Sequence, residues 1–131
     1  MKLTEEQKSA IESEFKQWTE TQYAGKDKKE RQKLGQFFTP PALTVKMIEK
    51  FNSVKDKNIL DPTLGAGGLI AACILAGADP KRCYGIEIDP EVLEIAKRRL
   101  GKLGVPSCNL ILGDALDHKS YKKLGRSTNE V

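Results

Sequence analysis

The stretch NILDPTLGAGGLIAACILAGA (residues 58–78) combines a short apolar run, an acid, a glycine turn and a longer apolar run. The first run ends at Asp61 and has the length of a strand, whereas the run from Leu69 is long enough for a buried helix. The alternation continues with strands predicted in CYGIEID (83–89) and NLILGD (109–114), and with an amphipathic helix over 90–104 that Pro90 opens. Continuous apolar strands joined by helices form a parallel sheet with right-handed crossovers. The sequence therefore predicts an α/β protein with a partial parallel sheet of about three strands, the first half of a doubly wound fold.

The N-terminal segment is predicted to form a helix outside this α/β unit. Thr4 and Gln7 have the spacing of a capping box, and Ile11, Phe15 and Trp18 recur at helical intervals. A helix from about residue 5 to about residue 23 follows from this pattern. The next segment, KDKKERQK (26–33), carries five basic side chains against two acidic ones. Such a run is typical of a solvated linker or frayed helix, and contact with nucleic acid is the alternative that its charge leaves open.

The loop GQFFTPP (35–41) precedes a second helix, predicted over about 40–52. Thr39 is expected to cap this helix and Pro40 to occupy its first turn, because a hydroxyl accepts an orphan N–H and proline has no N–H to lose. Phe37 and Phe38 stand on a short loop where a hydrophobic staple onto the helix is the simplest interpretation. The helix carries an apolar stripe that we expect to face the core: Leu43, Met47 or Ile48, and Phe51.

Composition limits the class of protein. A chain of 131 residues has the size of one domain and can bury a core without disulfides. The three cysteines lack C-x-x-C spacing and the single histidine cannot build a metal cluster with them, so we expect reduced thiols and no metal. No apolar run approaches the roughly 20 residues of a membrane span, and the charged N-terminus does not resemble a secretory signal. A cytoplasmic protein with no membrane partner is expected.

Acids and glycines follow the predicted strands at the edge of the sheet where doubly wound folds bind ligands. Asp61 ends the first strand and precedes Gly65 and Gly67, which allow a tight turn and close approach of the backbone to a ligand. Glu87 follows Gly65 at roughly the 20-residue interval of an acid that binds a ribose diol. Asp114 ends the third strand. Each acid alone could be a helix cap or a surface charge, but their common position favours a nucleoside site.

An acid in front of the glycines suits a cationic ligand better than a pyrophosphate, and S-adenosylmethionine is a nucleoside with an ammonium and a sulfonium group. Asp61 would attract the ammonium, directly or through water. Glu87 would accept from both ribose hydroxyls, Ile88 would lie on the adenine face, and Asp114 would accept from the adenine amine. Pro62 and Ala115, next to two of these acids, belong to the same expected contact set.

The chain resembles the cofactor half of the adenine-N6 DNA methyltransferases, including the modification subunits of type I restriction systems. Four motifs carry this resemblance, in the order GQFFTPP, DPTLGAGG, GIEIDP and GDAL. The resemblance covers about residues 34–116. It implies a Rossmann-like methyltransferase fold divided into an N-terminal helix and basic linker (1–33), an S-adenosylmethionine-binding domain (34–116) and a polar basic tail (117–131). It also implies that the GQFFTPP loop folds over the methionine end of the cofactor, with Thr39 bonded to the methionine carboxylate, Phe38 walling the pocket and Phe37 packed behind. S-adenosylhomocysteine, the demethylated product, would bind the same residues.

The family's catalytic loop is missing from these 131 residues. Such enzymes use an Asn or Asp-Pro-Pro-aromatic loop, which accepts the hydrogens of the target amine and stacks on a flipped base. The only Pro-Pro pair here is Pro40-Pro41, and Thr39 precedes it. Three hypotheses therefore stay open: the cofactor-binding part of an adenine-N6 DNA methyltransferase, with no catalytic residue of its own; a non-catalytic methyltransferase-like binding or regulatory protein; and a fragment of an RNA or protein-glutamine methyltransferase.

A three-stranded sheet would leave the first strand, with Ile59 and Leu60, as an unpaired edge. The N-terminal helix, a second copy of the chain in a homodimer, or a partner chain that supplies further strands could cover it. DNA would be a partner only through the complete enzyme.

Overall fold

The computed structural model describes residues 1–127, and side chains up to residue 124. It contains six α-helices and three strands in this described part of the chain. In chain order these are α1 (Glu5–Tyr23), α2 (Lys28–Gly35), α3 (Pro41–Glu49), β1 (Ile59–Asp61), α4 (Gly68–Leu75), β2 (Cys83–Glu87), α5 (Pro90–Gly101), β3 (Leu110–Leu112) and α6 (His118–Ser127).

The three strands form one parallel sheet in the order β1-β2-β3, as the sequence predicted. Asp61 pairs with Gly85, and Glu87 pairs with Leu112 at the end of β3. The carboxyl ends of all three strands therefore meet at one edge of the sheet, which is the edge where ligands bind in this architecture.

The two faces of the sheet contact different helices because side chains alternate along each strand. Ile59, Cys83 and Leu110 pack into the main core together with α3, α4 and α5. The opposite face packs a smaller cluster around Tyr84 and Ile86, which Leu60, Ile111 and Leu124 of α6 complete. The C-terminal segment thus contributes a helix where the sequence had suggested only a polar basic tail.

Helix α1 begins with the predicted capping box. Thr4 Oγ1 accepts from Gln7 N at 3.1 Å, and Gln7 Oε1 accepts from Thr4 N at 2.9 Å. Ile11 and Trp18 are buried, because α1 packs against α3 and α4. Since α4 in turn lies against β1, α1 belongs to the layer over the face of the sheet rather than to its edge. Within the described residues, β2 is the only strand that pairs with β1.

The basic run forms a helix rather than a linker. Asp27 Oδ1 accepts from Glu30 N at 2.8 Å and caps α2, and the side chains of the run are exposed.

The expected cap of α3 is wrong. Pro40 is the N-cap, Pro41 stands in the first turn, and no side chain caps this helix. The expected core stripe is also wrong in part: Thr44 and Ile48 face the core, whereas Leu43, Met47 and Phe51 are exposed. A helix that lies on the outside of a layer buries only a narrow face.

Candidate functional site

A cavity of about 320 Å³ lies at the carboxyl edge of the sheet. Its volume falls in the range of roughly 300–1,000 Å³ that small-molecule sites have. Residues from the ends of all three strands line it: Pro62, Thr63, Ile86, Glu87, Ile88, Gly113, Asp114, Ala115 and Leu116. Five predicted site residues (Pro62, Glu87, Ile88, Asp114 and Ala115) are among them.

Glu87 joins the glycine turn to the start of α5. Its Oε1 accepts from Gly65 N at 2.8 Å, and its Oε2 accepts from Asp89 N at 2.9 Å. Gly65 has a φ of +57°, a conformation that favours glycine. A carboxylate has about four lone-pair directions, so Glu87 keeps acceptor capacity for a ligand in the cavity while it holds the turn in place.

Asp61 is a buried acid with only 7 % of its surface exposed. Its Oδ1 accepts from Thr63 N at 3.0 Å and from Thr63 Oγ1 at 3.2 Å. Burial raises the pKa of this carboxyl above its ordinary value, the bonds from Thr63 partly offset the rise, and the negative charge of Glu87 adds to it. A positive group placed beside Asp61 would relieve both the desolvation and the repulsion.

The third strand end supplies a turn and an apolar wall. Asp114 is exposed, and its Oδ1 accepts from Leu116 N at 2.9 Å. Leu116 is 95 % exposed and Ile88 is 67 % exposed, although both are large apolar side chains. Two exposed aliphatic groups at one cavity suit a flat apolar ring. The sequence had indicated Ile88 but missed Leu116 and Thr63.

Gly67 has a different role from Gly65. It is the N-cap of α4 with a φ of +86°, and a Cβ on it would lie 2.9 Å from Leu100 Cδ1. Gly67 therefore allows α5 to approach the turn and does not line the cavity. Gly85 works in the same way, because a Cβ there would lie 2.6 Å from Leu64 Cδ1. The sequence pattern had indicated the turn but not these contacts.

The GQFFTPP loop lies against the glycine turn, but neither of its aromatic rings lines the cavity. The carbonyl oxygen of Phe37 lies 3.6 Å from the position of a Cβ on Gly65. The Phe38 ring packs against α1, with its centroid 4.5 Å from that of Trp18. Phe37 is the exposed ring. Thr39 packs over Gly68, and neither it nor Phe38 lines the cavity.

A larger cleft of about 420 Å³ separates α2 from α5. It is lined by Lys26, Glu30, Lys33, Leu34, Phe37, Asp89, Glu91, Val92 and Ile95. None of the predicted cofactor residues lies there, and its charges are of both signs. The smaller cavity is therefore the better candidate for a nucleoside.

Among residues 1–127, no group of three or more His, Cys, Asp or Glu side chains is placed to hold a metal ion. No helix in the same part of the chain is both long enough and apolar enough to cross a membrane.

The family model described as N-6 DNA methylase matches residues 10–125. Type II methyltransferase M.CvrRI of Paramecium bursaria Chlorella virus XZ-6E is 39 % identical over 70 residues, which is 53 % of this chain and 18 % of that protein. Protein-L-isoaspartate O-methyltransferases of Pyrococcus horikoshii and Pyrococcus abyssi are 34 % and 32 % identical over 80 residues, which is 61 % of this chain and 36 % of each relative. The chain thus spans between about a fifth and about a third of these relatives. No solved structure matches significantly.

Proposed function

The chain belongs to the N-6 DNA methylase family, and from this premise we propose that it binds S-adenosylmethionine, or S-adenosylhomocysteine, in the cavity at the carboxyl edge of the sheet. Membership makes it a methyltransferase domain. The observation that carries the proposal is the position of Glu87, which lines the cavity while its carboxylate is held by Gly65 N and Asp89 N. A carboxylate fixed in this way is prepared to accept from a ribose diol without further ordering.

The side chains around the cavity suit the chemical groups of this cofactor. Glu87 would accept from the ribose hydroxyls, and Asp61, which is buried at the end of β1 and does not line the cavity, would be the counter-charge for the ammonium group. Ile88 and Leu116 cover the adenine faces, and Asp114 accepts from the adenine amine. When bound, the cofactor supplies an electrophilic methyl group. Pro62 and Ala115 complete the walls.

The methionine end lies next to the glycine turn in this proposal. Gly65 and Gly67 shape the turn, and Thr39, which packs over Gly68 at the start of α4 and does not line the cavity, would bond the methionine carboxylate. Phe38 acts indirectly, since its ring contacts Trp18 and Tyr23 of α1.

The proposed acceptor is the N6 amine of adenine in DNA. The 131 residues contain no Asn or Asp-Pro-Pro-aromatic motif, so the residues that accept the amine hydrogens belong to another part of the complete enzyme. Within the described residues β1 pairs only with β2, and we expect that part, a partner chain or a second copy to add to the sheet on the other side of β1. We expect this chain alone to transfer no methyl group.

Calorimetry with S-adenosylhomocysteine tests the proposal directly. Leu116→Asp should weaken binding about tenfold or more, because it removes an apolar wall worth about 1.5–3 kcal/mol when covered. Leu43→Asp is the matched control: Leu43 is also exposed, lies on α3 outside the cavity, and should leave affinity unchanged. Folded wild-type protein that releases no heat with either form of the cofactor would refute the proposal.

Methyl transfer separates the enzyme from the non-catalytic alternative. Labelled S-adenosylmethionine should leave no label on adenine in DNA with this chain alone. Incorporation by the pure chain would contradict the assignment of the catalytic loop elsewhere. Binding without transfer, even when the complete reading frame is supplied, would favour a regulatory protein.

A further inference from the structure

Arg99 is a buried cation on α5 that does not line the cavity. Its surface is 4 % exposed, although arginine is almost never fully buried without a partner. Its Nε donates to Glu14 Oε2 at 2.9 Å and its Nη2 donates to Glu14 Oε1 at 2.6 Å, which is a two-point bond between α5 and α1. A pair of residues 85 positions apart in sequence thus fixes the N-terminal helix to the α/β unit.

The third nitrogen of the same guanidinium reaches the glycine turn. Arg99 Nη1 donates to the carbonyl oxygen of Ala66 at 3.4 Å, between Gly65 and Gly67. It also lies 3.7 Å from the position of a Cβ on Gly68. Arg99 therefore supports the turn without lining the cavity.

The flat face of the guanidinium supports the aromatic loop. Arg99 Cζ lies 3.9 Å from the centroid of the Trp18 ring. The other contacts of Trp18 include Phe38 at 4.5 Å, and Phe38 is followed by Thr39, which packs over Gly68. One side chain thus contacts the turn directly and the loop through Trp18.

We propose that Arg99, held by Glu14, is a positioning residue for the cofactor: it sets the glycine turn and the GQFFTPP loop relative to one another, so that α1 is a functional part of the site. This inference rests on the proposed cofactor binding. A buried ion pair is weak evidence for stability, because desolvation offsets much of the attraction. The guanidinium joins two elements at three points, Glu14 and Trp18 on α1 and Ala66 in the glycine turn, and this arrangement is better explained by positioning.

Arg99→Lys is the first test variant, because it keeps the charge for Glu14 but loses the planar fork that bonds two elements and stacks on an indole. It should weaken S-adenosylhomocysteine binding by about 5- to 150-fold, the range of typical coupling between sites. Arg98→Lys, on the exposed neighbour, is the matched control and should bind as wild type does.

A double variant covers the case in which Arg99→Lys does not fold. Glu14→Leu with Arg99→Met replaces both charges by apolar groups, which is often tolerated where removal of one partner is not. It should fold and should bind the ligand as weakly as Arg99→Lys does.

Trp18 gives a readout that a merely structural ion pair would not change. It is the only tryptophan in the chain, so wild-type fluorescence should respond when S-adenosylhomocysteine binds, and the response should be lost in the Arg99 variants.

Wild-type binding in calorimetry without any change in Trp18 emission would overturn the inference, and this outcome needs no variant. Wild-type affinity in a folded Arg99→Lys protein would overturn it too. Failure of folded wild-type protein to bind would instead refute the proposed function.

Discussion

Replacing Glu87 by glutamine tests whether one carboxylate both holds the glycine turn and binds ligand. Both oxygens of Glu87 accept from backbone N–H groups, at 2.8 Å from Gly65 and at 2.9 Å from Asp89. In Glu87→Gln one oxygen becomes an NH2 group that cannot accept. One charge-assisted bond is lost, worth about 1.5–3 kcal/mol, and a backbone donor then faces another donor.

We therefore expect the free energy of unfolding without ligand to fall by about 2–3 kcal/mol, and the melting temperature to fall by about 5–15 °C for a domain of this size. Thermal and urea unfolding followed by circular dichroism measures both. Glu94→Gln is the control, because Glu94 is exposed on α5 and its substitution should change stability by less than about 0.5 kcal/mol.

Affinity for S-adenosylhomocysteine should fall in addition, by about tenfold or more, because one acceptor for the ribose is lost. If Glu87→Gln were as stable as the wild-type protein, the two bonds from Gly65 N and Asp89 N to this carboxylate would be refuted. A destabilised variant that binds with unchanged affinity would refute the ribose role and leave the structural one.

Three further predictions concern the buried acid Asp61, the glycine turn and the three cysteines. The pKa of Asp61 is raised, so its contribution to stability is fully present below the ordinary pKa of 3.8, where the carboxyl is protonated, and is lost as pH rises through the folded pKa. Asp61→Asn should therefore raise the melting temperature at pH 7, and this gain should vanish in acid. The same substitution should weaken cofactor binding in calorimetry. A lower melting temperature at pH 7 would contradict this. Gly67→Ala should cost at least about 1–2 kcal/mol in urea unfolding because of the positive φ, whereas Gly101→Ala should be neutral or slightly stabilising, since nothing lies within 4 Å of its Cβ position; equal stability of the two variants would argue against the packed turn. A thiol reagent should label only Cys108 quickly in the folded protein, because burial raises the pKa values of the other two thiols to about 12 and about 11; fast labelling of a second thiol would show that the core opens.

The alternation of short apolar runs and helices predicted the sheet because its information is local. Each strand is a largely apolar run, ended by an acid in β1 and β2, and a parallel sheet buries such runs on both faces. The capping box at Thr4 likewise located the start of α1 from residues three apart. The site was predictable to the extent that it follows strand ends: Glu87, Ile88 and Asp114 line one cavity because the carboxyl ends of parallel strands meet at one edge.

The predictions that were wrong concern features that depend on residues distant in sequence. Thr39 has a suitable side chain for a cap, but Pro40 takes the N-cap position and Thr39 packs over Gly68. Helix α6 has a polar sequence, and only the unfilled face around Ile86 explains why Leu124 is buried there.

By itself, then, the sequence determined the strands, the α/β topology and the acids at the strand ends, since each depends on neighbours along the chain. Tertiary structure decided which phenylalanine faces solvent, because the Phe38 ring packs against Trp18, which lies 20 positions earlier in the sequence. It also decided that Arg99 is a buried support rather than one more charge on an amphipathic helix, because its partners Glu14 and Ala66 approach it only when α1, α5 and the glycine turn come together. Contacts between residues distant in sequence depend on the whole packing, and no local pattern encodes them.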